Sequence, residues 1–287
     1  MRLKTREAVA GYSFILPSLS GFAMFFLIPS AVSLYYCFTQ GVGRKKFTGL
    51  ENLRGVIKSD SFLLAAKNTL IFNLISVPLI IAISFLLAML LNKKLKGISK
   101  FRTFFVMPIV LPVASVILVW QIIFNEYGTL NNFLQNFGIV PVDWMRTGWS
   151  VGVLVLIYIW KNCGYNVILF LAGLNSIPGE YFETARIEGA GRFACIRKIT
   201  IPFIIPTAFF VFIVSMINSF KVFREAYLLA GSYPHPAIYQ LQHFMNNNFF
   251  NLSYQRLSAA ALIMMAVVSA LLSFIYKMER RFGRSFG

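Results

Sequence analysis

NTLIFNLISVPLIIAISFLLAMLLNKKLKGISKFR, residues 68–102, sets 25 uncharged and mostly apolar residues directly against Lys93, Lys94, Lys96, Lys100 and Arg102. A helix rises about 1.5 Å per residue, so about 20 residues cross a bilayer core of about 30 Å. The apolar run is long enough to span, and it ends in the kind of basic segment that stays on the cytoplasmic side. The pattern recurs along the chain: residues 8–43, 103–125, 199–220 and 257–276 carry no charge, and an apolar region from Trp149 to Gly173 is interrupted once, by Lys161. Residues 226–255 are also uncharged, but their Asn, Gln, Ser, His and Pro content reads as a polar loop. The spacing predicts an all-α integral membrane protein with six spans, at about 12–38, 68–91, 103–124, 149–173, 203–222 and 258–276, forming one transmembrane domain over 1–287.

Composition agrees. Of 287 residues 57% are hydrophobic and only 13% charged, which excludes a disordered chain and argues against a water-soluble globule. The net charge of +17 would suggest nucleic acid in a soluble protein, but here the basic residues lie at span ends rather than on one soluble face. Sixteen fall on the side holding both termini: Arg2, Lys4 and Arg6, the five after the second span, Arg186, Arg192, Arg197 and Lys198, and Lys277, Arg280, Arg281 and Arg284. Ten fall opposite, over longer loops. Both termini are therefore expected in the cytoplasm, although the cluster Arg44 to Lys46 runs against this. The first apolar run is too long for the core of a signal peptide and reads as a helix.

Cys37, Cys163 and Cys195 fall near the outer face, within a span and in a cytoplasmic loop, so free thiols are expected. His235 and His243 lack carboxylate or cysteine neighbours, and no metal site is expected. Prolines within the spans, Pro17, Pro29, Pro78, Pro108, Pro112 and Pro206, fit either plain kinks or helices shaped around a cavity.

The loop between spans four and five, LNSIPGEYFETARIEGAGRFACIRKITIP at 174–202, is no ordinary linker. Pro178 suits a helix start, Glu180 and Glu183 suit its early turns, and Gly189 with Gly191 breaks it. A second short helix is expected from Arg192 to Ile199, with Pro202 turning the chain back into the membrane. Helices this short are marginal alone. The small residues Ala185, Gly189, Ala190 and Gly191 offer backbone that a partner can approach closely, which makes a docking knob.

Glu183, Ala185, Glu188, Gly189, Ala190 and Gly191, followed by Ile199 and Pro202, resemble the EAA loop of ABC importer permease subunits, E-A-A-x-x-D-G-A-G and then I-x-L-P. Thr184, Glu188 and Ile196 depart from its usual Ala, Asp and Phe. Asn68-Thr69, Leu90-Leu91-Asn92 with Gly97, Phe101-Arg102, Pro108, Tyr127-Gly128 with Asn131, Ala172-Gly173-Leu174, Ile177-Pro178, Ser219-Phe220 and Phe223 are similar to the carbohydrate branch, relatives of the maltose and glycerol-phosphate permeases. Where many of these have Gly-Gly-Pro after the fifth span, this chain reads Ala230-Gly231-Ser232-Tyr233-Pro234.

The resemblance implies a transport subunit, not an enzyme, in a bacterial cytoplasmic membrane. It implies a second permease, two copies of an ABC ATPase, and an extracytoplasmic binding protein that delivers a sugar. The sequence has no G-x-x-x-x-G-K-[ST] pattern, so ATP and Mg²⁺ are expected on the ATPase and no cofactor on this chain. Glu183 is the expected polar anchor of the coupling loop, with Ala185, Gly189 and Gly191 giving close fit and Pro202 ending the motif.

Lys161 lies mid-span, where a cation costs about 2.5 to 3.5 kcal/mol on insertion scales, so it should face a wet cavity or a partner. Aligned on the loop motif, the resemblance places Asn162 and Tyr165 and, with a one-residue gap after Pro202, Asn218, Ser219 and Lys221 along a sugar path beside Trp160. Amides and hydroxyls suit sugar hydroxyls, yet membrane amides also join helices, and both readings stay open. For Lys161 a salt bridge to the partner permease and attraction of an anionic substrate are equally open. Glycerol phosphate or another polar solute is the alternative cargo. A channel or secondary transporter is the rival class, against which stands the absence of Asp and Glu from all six drawn spans.

Overall fold

The computed structural model describes residues 2–41, 46–92 and 98–283, apart from the side chains of 2–6, 9, 98–102 and 279–283. Arg44, Lys45, Lys93, Lys94, Lys96, Gly97 and Arg284 lie outside the described residues, as do the side chains of Arg2, Lys4, Arg6, Lys100, Phe101, Arg102, Arg280 and Arg281.

The described chain is helical almost throughout. In order come α1 (Arg2–Phe22), α2 (Ile28–Cys37), α3 (Glu51–Ile57), α4 (Asp60–Leu91), α5 (Ile98–Val110), α6 (Val113–Phe124), α7 (Thr129–Gln135), α8 (Ser150–Asn175), α9 (Gly179–Ile187), α10 (Arg192–Cys195), α11 (Ile201–Phe220), α12 (Phe223–Ala230), α13 (Leu241–Phe250) and α14 (Tyr254–Gly283). The short antiparallel strands β1 (Thr39–Gln40) and β2 (Lys46–Phe47) pair Thr39 with Phe47. Six helical stretches among the described residues are long and apolar enough to cross a membrane: 10–37, 60–91, 113–135, 150–175, 192–230 and 254–278.

Three expectations need correction. The third span, expected over about 103–124 with prolines inside it, is two helices: Pro112 caps α6 in an extended conformation, and Leu111 and Pro112 interrupt the run. The fifth does not turn at Pro202 or stop at 222. Its helical path runs from Arg192 through a π turn into α11, bends at Lys221–Val222 and continues as α12 to Ala230. Residues 226–255, expected as a polar loop, hold the end of that helix, a 3₁₀ turn at Pro236–Ile238 and α13.

Pro202 is tolerated because the turn before it is widened. Ile196–Thr200 is a π turn in which Ile201 N–H donates to the Ile196 carbonyl, five residues back. Ala23–Leu27 does the same ahead of Pro29, with Ile28 N–H donating to Ala23. In both cases the wide turn ends two residues before a proline, whose ring would crowd the carbonyl four residues back and which has no N–H to give it.

Two compact units emerge, one of Met1–Phe62 with Met245–Val267, the other of Leu63–Phe244 with Val268–Gly287. In the first, Asn52 Nδ2 donates to the Cys37 and Thr39 carbonyls at 2.9 and 3.0 Å, fixing the end of α2, and Tyr36 packs on Tyr254. In the second, α8 is the central element, packed on α5 and α11. Its glycines explain the proximity: a Cβ on Gly164 would collide with the Phe105 carbonyl of α5, and one on Gly173 with Thr207 and Ile204 of α11. Small residues at helix contacts are the usual means of close approach in a membrane. Tyr158 O–H donates to the Ser215 carbonyl at 2.6 Å and Asn166 Nδ2 to Ser215 Oγ at 2.7 Å, so polar bonds join the same helices.

Candidate functional site

Two places gather the residues the sequence singled out. The first is a cavity of about 230 Å³ lined by Tyr158, Lys161 and Asn162 of α8, Asn218 of α11, Lys221 and Val222 at the bend, Arg224 and Glu225 of α12, and Ile109 of α5. The bend brings α12's first turn over α8, so Lys161 finds its partner within the chain: Nζ donates to Glu225 Oε1. Neither a partner subunit nor a solute is needed to neutralise Lys161. Glu225 is an acid inside a membrane-length helix, and it was missed because the span was closed at 222, where Lys221, Arg224 and Glu225 looked like a loop.

The expected path residues divide. Lys161, Asn162, Asn218 and Lys221 share the cavity wall, and Lys221 Nζ lies 3.3 Å from Asn218 Oδ1. Asn162 is buried and donates to the Tyr158 carbonyl at 2.9 Å. Trp160, Tyr165 and Ser219 are not on that wall. Trp160 packs edge-on to Trp120, Tyr165 is 37% exposed one turn along α8 from Lys161, and Ser219 is buried with its hydroxyl on the Met216 carbonyl. All four tryptophans join one aromatic chain, Trp160 to Trp120 to Phe124 to Trp144 to Trp149, with ring centroids 5.6 to 6.2 Å apart.

The second place is the 174–202 loop. α9 starts after Pro178 and ends in a glycine cap: Gly189 has φ +79°, its N–H donates to Arg186, and Ala190 N–H donates back to Ala185 at 2.8 Å. Gly189 is thus required by the turn itself. Gly191, by contrast, opens α10 with open space around its Cα. Ala185, Glu188 and Ala190 line a groove of about 610 Å³ with Glu180, Lys198 and Ile199. Glu183 is exposed and lies one turn from Ile187, off the groove. Ile187 and Phe193, 87% and 76% exposed, flank the elbow and were not singled out by sequence. α9 is tied to the membrane helices by Tyr181 on Phe203, ring centroids 4.9 Å apart, and by Phe182, Ile177 and Ile199 in the apolar core.

Near the start of α4, Asn68 Nδ2 donates to the Pro236 and Tyr239 carbonyls, and Leu241 N–H to Thr69 Oγ1, so the Asn68-Thr69 pair clamps the 236–241 segment. Buried Asn131 donates to the Glu126 and Val142 carbonyls and accepts from Trp144 Nε1, organising the 125–144 turn. His243 is fully buried against Phe223 and Tyr239. Its Nδ1 accepts from Gln240 N–H, and burial pushes its pKa down to about 4. No group of three metal-binding side chains occurs among the described residues.

Residues 61–282 match the family described as binding-protein-dependent transport system inner membrane component. A trehalose/maltose transport system permease protein of Thermococcus litoralis is 30% identical over 288 residues, covering 99% of this chain and 97% of that one. A lactose transport system permease protein of Rhizobium radiobacter is 31% identical, covering 97% of each. A crystallised chain of a bacterial ABC transporter involved in import of the acidic polysaccharide alginate superimposes with a TM-score of 0.85 at 23% identity, over 98% of this chain and 99% of that one, a likeness of fold. Six membrane-length helices, the short-helix elbow between the fourth and fifth, and a match over most of its length place this chain in the family of binding-protein-dependent transport system inner membrane components.

Proposed function

We propose that the chain is one of two homologous permease subunits of an ATP-driven importer, in which two ATPase copies hydrolyse ATP with Mg²⁺ and an extracytoplasmic binding protein delivers a saccharide. Its termini and the 174–202 loop lie in the cytoplasm, where Glu183, Ala185, Glu188, Gly189, Ala190, Gly191 and Pro202 belong to the segment docked on an ATPase. The observation that carries this reading is the attachment of the elbow. It exposes Ile187 and Phe193 to a partner while Tyr181, Phe182 and Phe203 fasten it to the spans. A push on α9 is therefore passed through ring contacts and one continuous helical path to the bend at Lys221–Val222. The bend carries the wall of the cavity, so ATP-driven closure below would reshape the solute's surroundings above.

Saccharide as cargo is supported by relatives that carry maltose, trehalose and lactose and by a cavity wall of amides and charges. Glycerol phosphate is the second reading, favoured by the surplus of cations on that wall. The test is ATP hydrolysis by the reconstituted complex, with its binding protein loaded from a panel of neutral and anionic saccharides and glycerol phosphates. Stimulation by a saccharide is the expected result, and no stimulation by any overturns the cargo class.

A further inference from the structure

Between α4, α11 and α14 runs a groove of about 460 Å³, with Ile205, Ala208 and Met216 of α11, Leu271 and Met278 of α14 and Ile81 of α4 on its walls. Every residue lining it is apolar, and all of them belong to the second unit. Its dimensions select an occupant. Ile205 to Met216 is about 16 Å of helix, so a groove of about 460 Å³ along it averages about 28 Å² in cross-section. A helix with its side chains is about 10 Å across and needs about 80 Å². An extended hydrocarbon chain is one methylene wide, with carbon contacts at about 4 Å, and fits.

The depth of the groove matches one leaflet. Ile81 stands about 15 Å along α4 from the helix end at Leu91, and half of a bilayer core of about 30 Å is the same length. The other end lies at Met278, beside Lys277, the first charge after the uncharged run 257–276. The groove therefore reaches from the midplane to one membrane surface, which is the reach of a single acyl chain. An independent feature marks that surface. Lys277, Arg280, Arg281 and Arg284 follow one another closely, with Glu279 as the one acid among them. By helical register Arg281 takes the place after Met278 on the face of α14 that carries Leu271, Phe274 and Met278. Basic clusters directly after a span attract anionic headgroups.

We propose that this groove holds one acyl chain of an anionic phospholipid from the cytoplasmic leaflet, with the lipid phosphate at the basic end of α14. The leaflet rests on the importer reading above, which puts the C-terminus in the cytoplasm. The acyl chain supplies the dispersion contacts that an empty apolar groove forgoes. It lies along α11, the helix that leads from the elbow to the bend, so the lipid is part of the packing on which coupling depends.

The test is native mass spectrometry of the isolated chain and of the assembled complex, each released from nanodiscs holding equal phosphatidylglycerol and phosphatidylcholine. In both, wild type should retain phosphatidylglycerol at least fivefold over phosphatidylcholine. Ala208→Trp and Leu271→Trp, which plug the groove at two depths, should each cut that retention at least tenfold. K277Q/R280Q/R281Q leaves the groove open and should retain both lipids without preference, whereas K277R/R280K/R281K, which keeps the charges, should keep the preference. These two charge variants carry the test if the plugged ones do not fold. Equal retention of the two lipids by wild type, or retention unchanged in both plugged variants, overturns the site. Lipid on the isolated chain but none in the assembled complex also overturns it, and gives the groove to a helix of the second permease. The expected retention in a chain that recruits no ATPase overturns the importer reading and the leaflet with it, and leaves the lipid in the groove standing.

Discussion

Glu225 has a side chain only 4% exposed, and Lys161 holds it with one bond while itself 22% exposed. Breaking a buried pair from one side leaves an uncompensated charge and typically costs about 3 to 5 kcal/mol, whereas removing both charges is often near neutral. Because Lys161 retains some access to the cavity, the lower figure applies. Lys161→Met should lower the unfolding free energy of the detergent-purified chain by about 3 kcal/mol, and adding Glu225→Gln should restore at least half of that loss. Equal destabilisation in single and double variants would show that the pair is not coupled. Half of this pair was legible in the sequence. A lysine in the middle of an apolar run announces its own cost, but its partner is 64 residues away and becomes visible only once α12 is known to pack beside α8. A ruler of uncharged residues closes a span where charges cluster, and so discards an acid that the membrane interior tolerates by pairing.

At the scale of elements, the same ruler found the helices because burial in lipid demands long apolar runs, and it missed the breaks because they depend on local backbone. Pro112 stands at a helix break, capping the start of α6, while Pro78 and Pro206 sit within helices, and sequence alone does not distinguish them. The glycines of α8 are equally mute in sequence, yet they differ sharply in the fold. Gly164 lies against the Phe105 backbone, whereas Gly152 has nothing within 4 Å of a built Cβ. Gly164→Val should therefore cost at least about 3 kcal/mol through overpacking against a backbone that cannot move aside. Gly152→Ala should be neutral or stabilise by up to about 1 kcal/mol, as expected in a helix interior. Comparable melting temperatures for the two variants would contradict the close approach of α5 and α8.

His243 makes a pH prediction for the segment around α13. Its folded pKa is about 4 against about 6.5 unfolded, so between those values the unfolded state takes up the proton first. Stability is therefore full above about pH 6.5 and falls as pH drops towards 4, by up to about 3 kcal/mol. His243→Phe leaves the Gln240 N–H without its acceptor and lowers the baseline, but it should flatten that slope. A melting curve equally steep between pH 6.5 and 4 in wild type and variant would assign the titration elsewhere.

Across the whole molecule, the opening imbalance of charge separates into two parts with different meaning. Most basic residues flank spans and bear on topology, while Lys221 and Arg224 line a cavity between membrane-length helices. The acids are as unevenly placed: Glu180, Glu183 and Glu188 stand on one elbow. That elbow was readable as a docking segment because short helices with glycines between them cannot stand alone, but which of its side chains meet a partner was not readable. Gly189 is accounted for by its left-handed cap, so a bulky residue there tests the turn before it tests docking. Ile187 and Phe193 test docking more cleanly. Both are large, apolar and almost wholly exposed on either side of the elbow, and exposed apolar anchors of this kind usually mark a covered surface. Ile187→Ser, Phe193→Ser and Glu183→Ala should each leave the melting temperature of the isolated chain within about 2 °C, since none of the three side chains is buried and surface changes are usually within about 0.5 kcal/mol. The same variants should cut solute-stimulated ATP hydrolysis in the assembled complex at least tenfold, and the paired serine variant should lose the ATPase subunits on size-exclusion chromatography. Full coupling in all three, with the ATPase still bound, would move the power input away from this elbow and leave its exposed face without a partner.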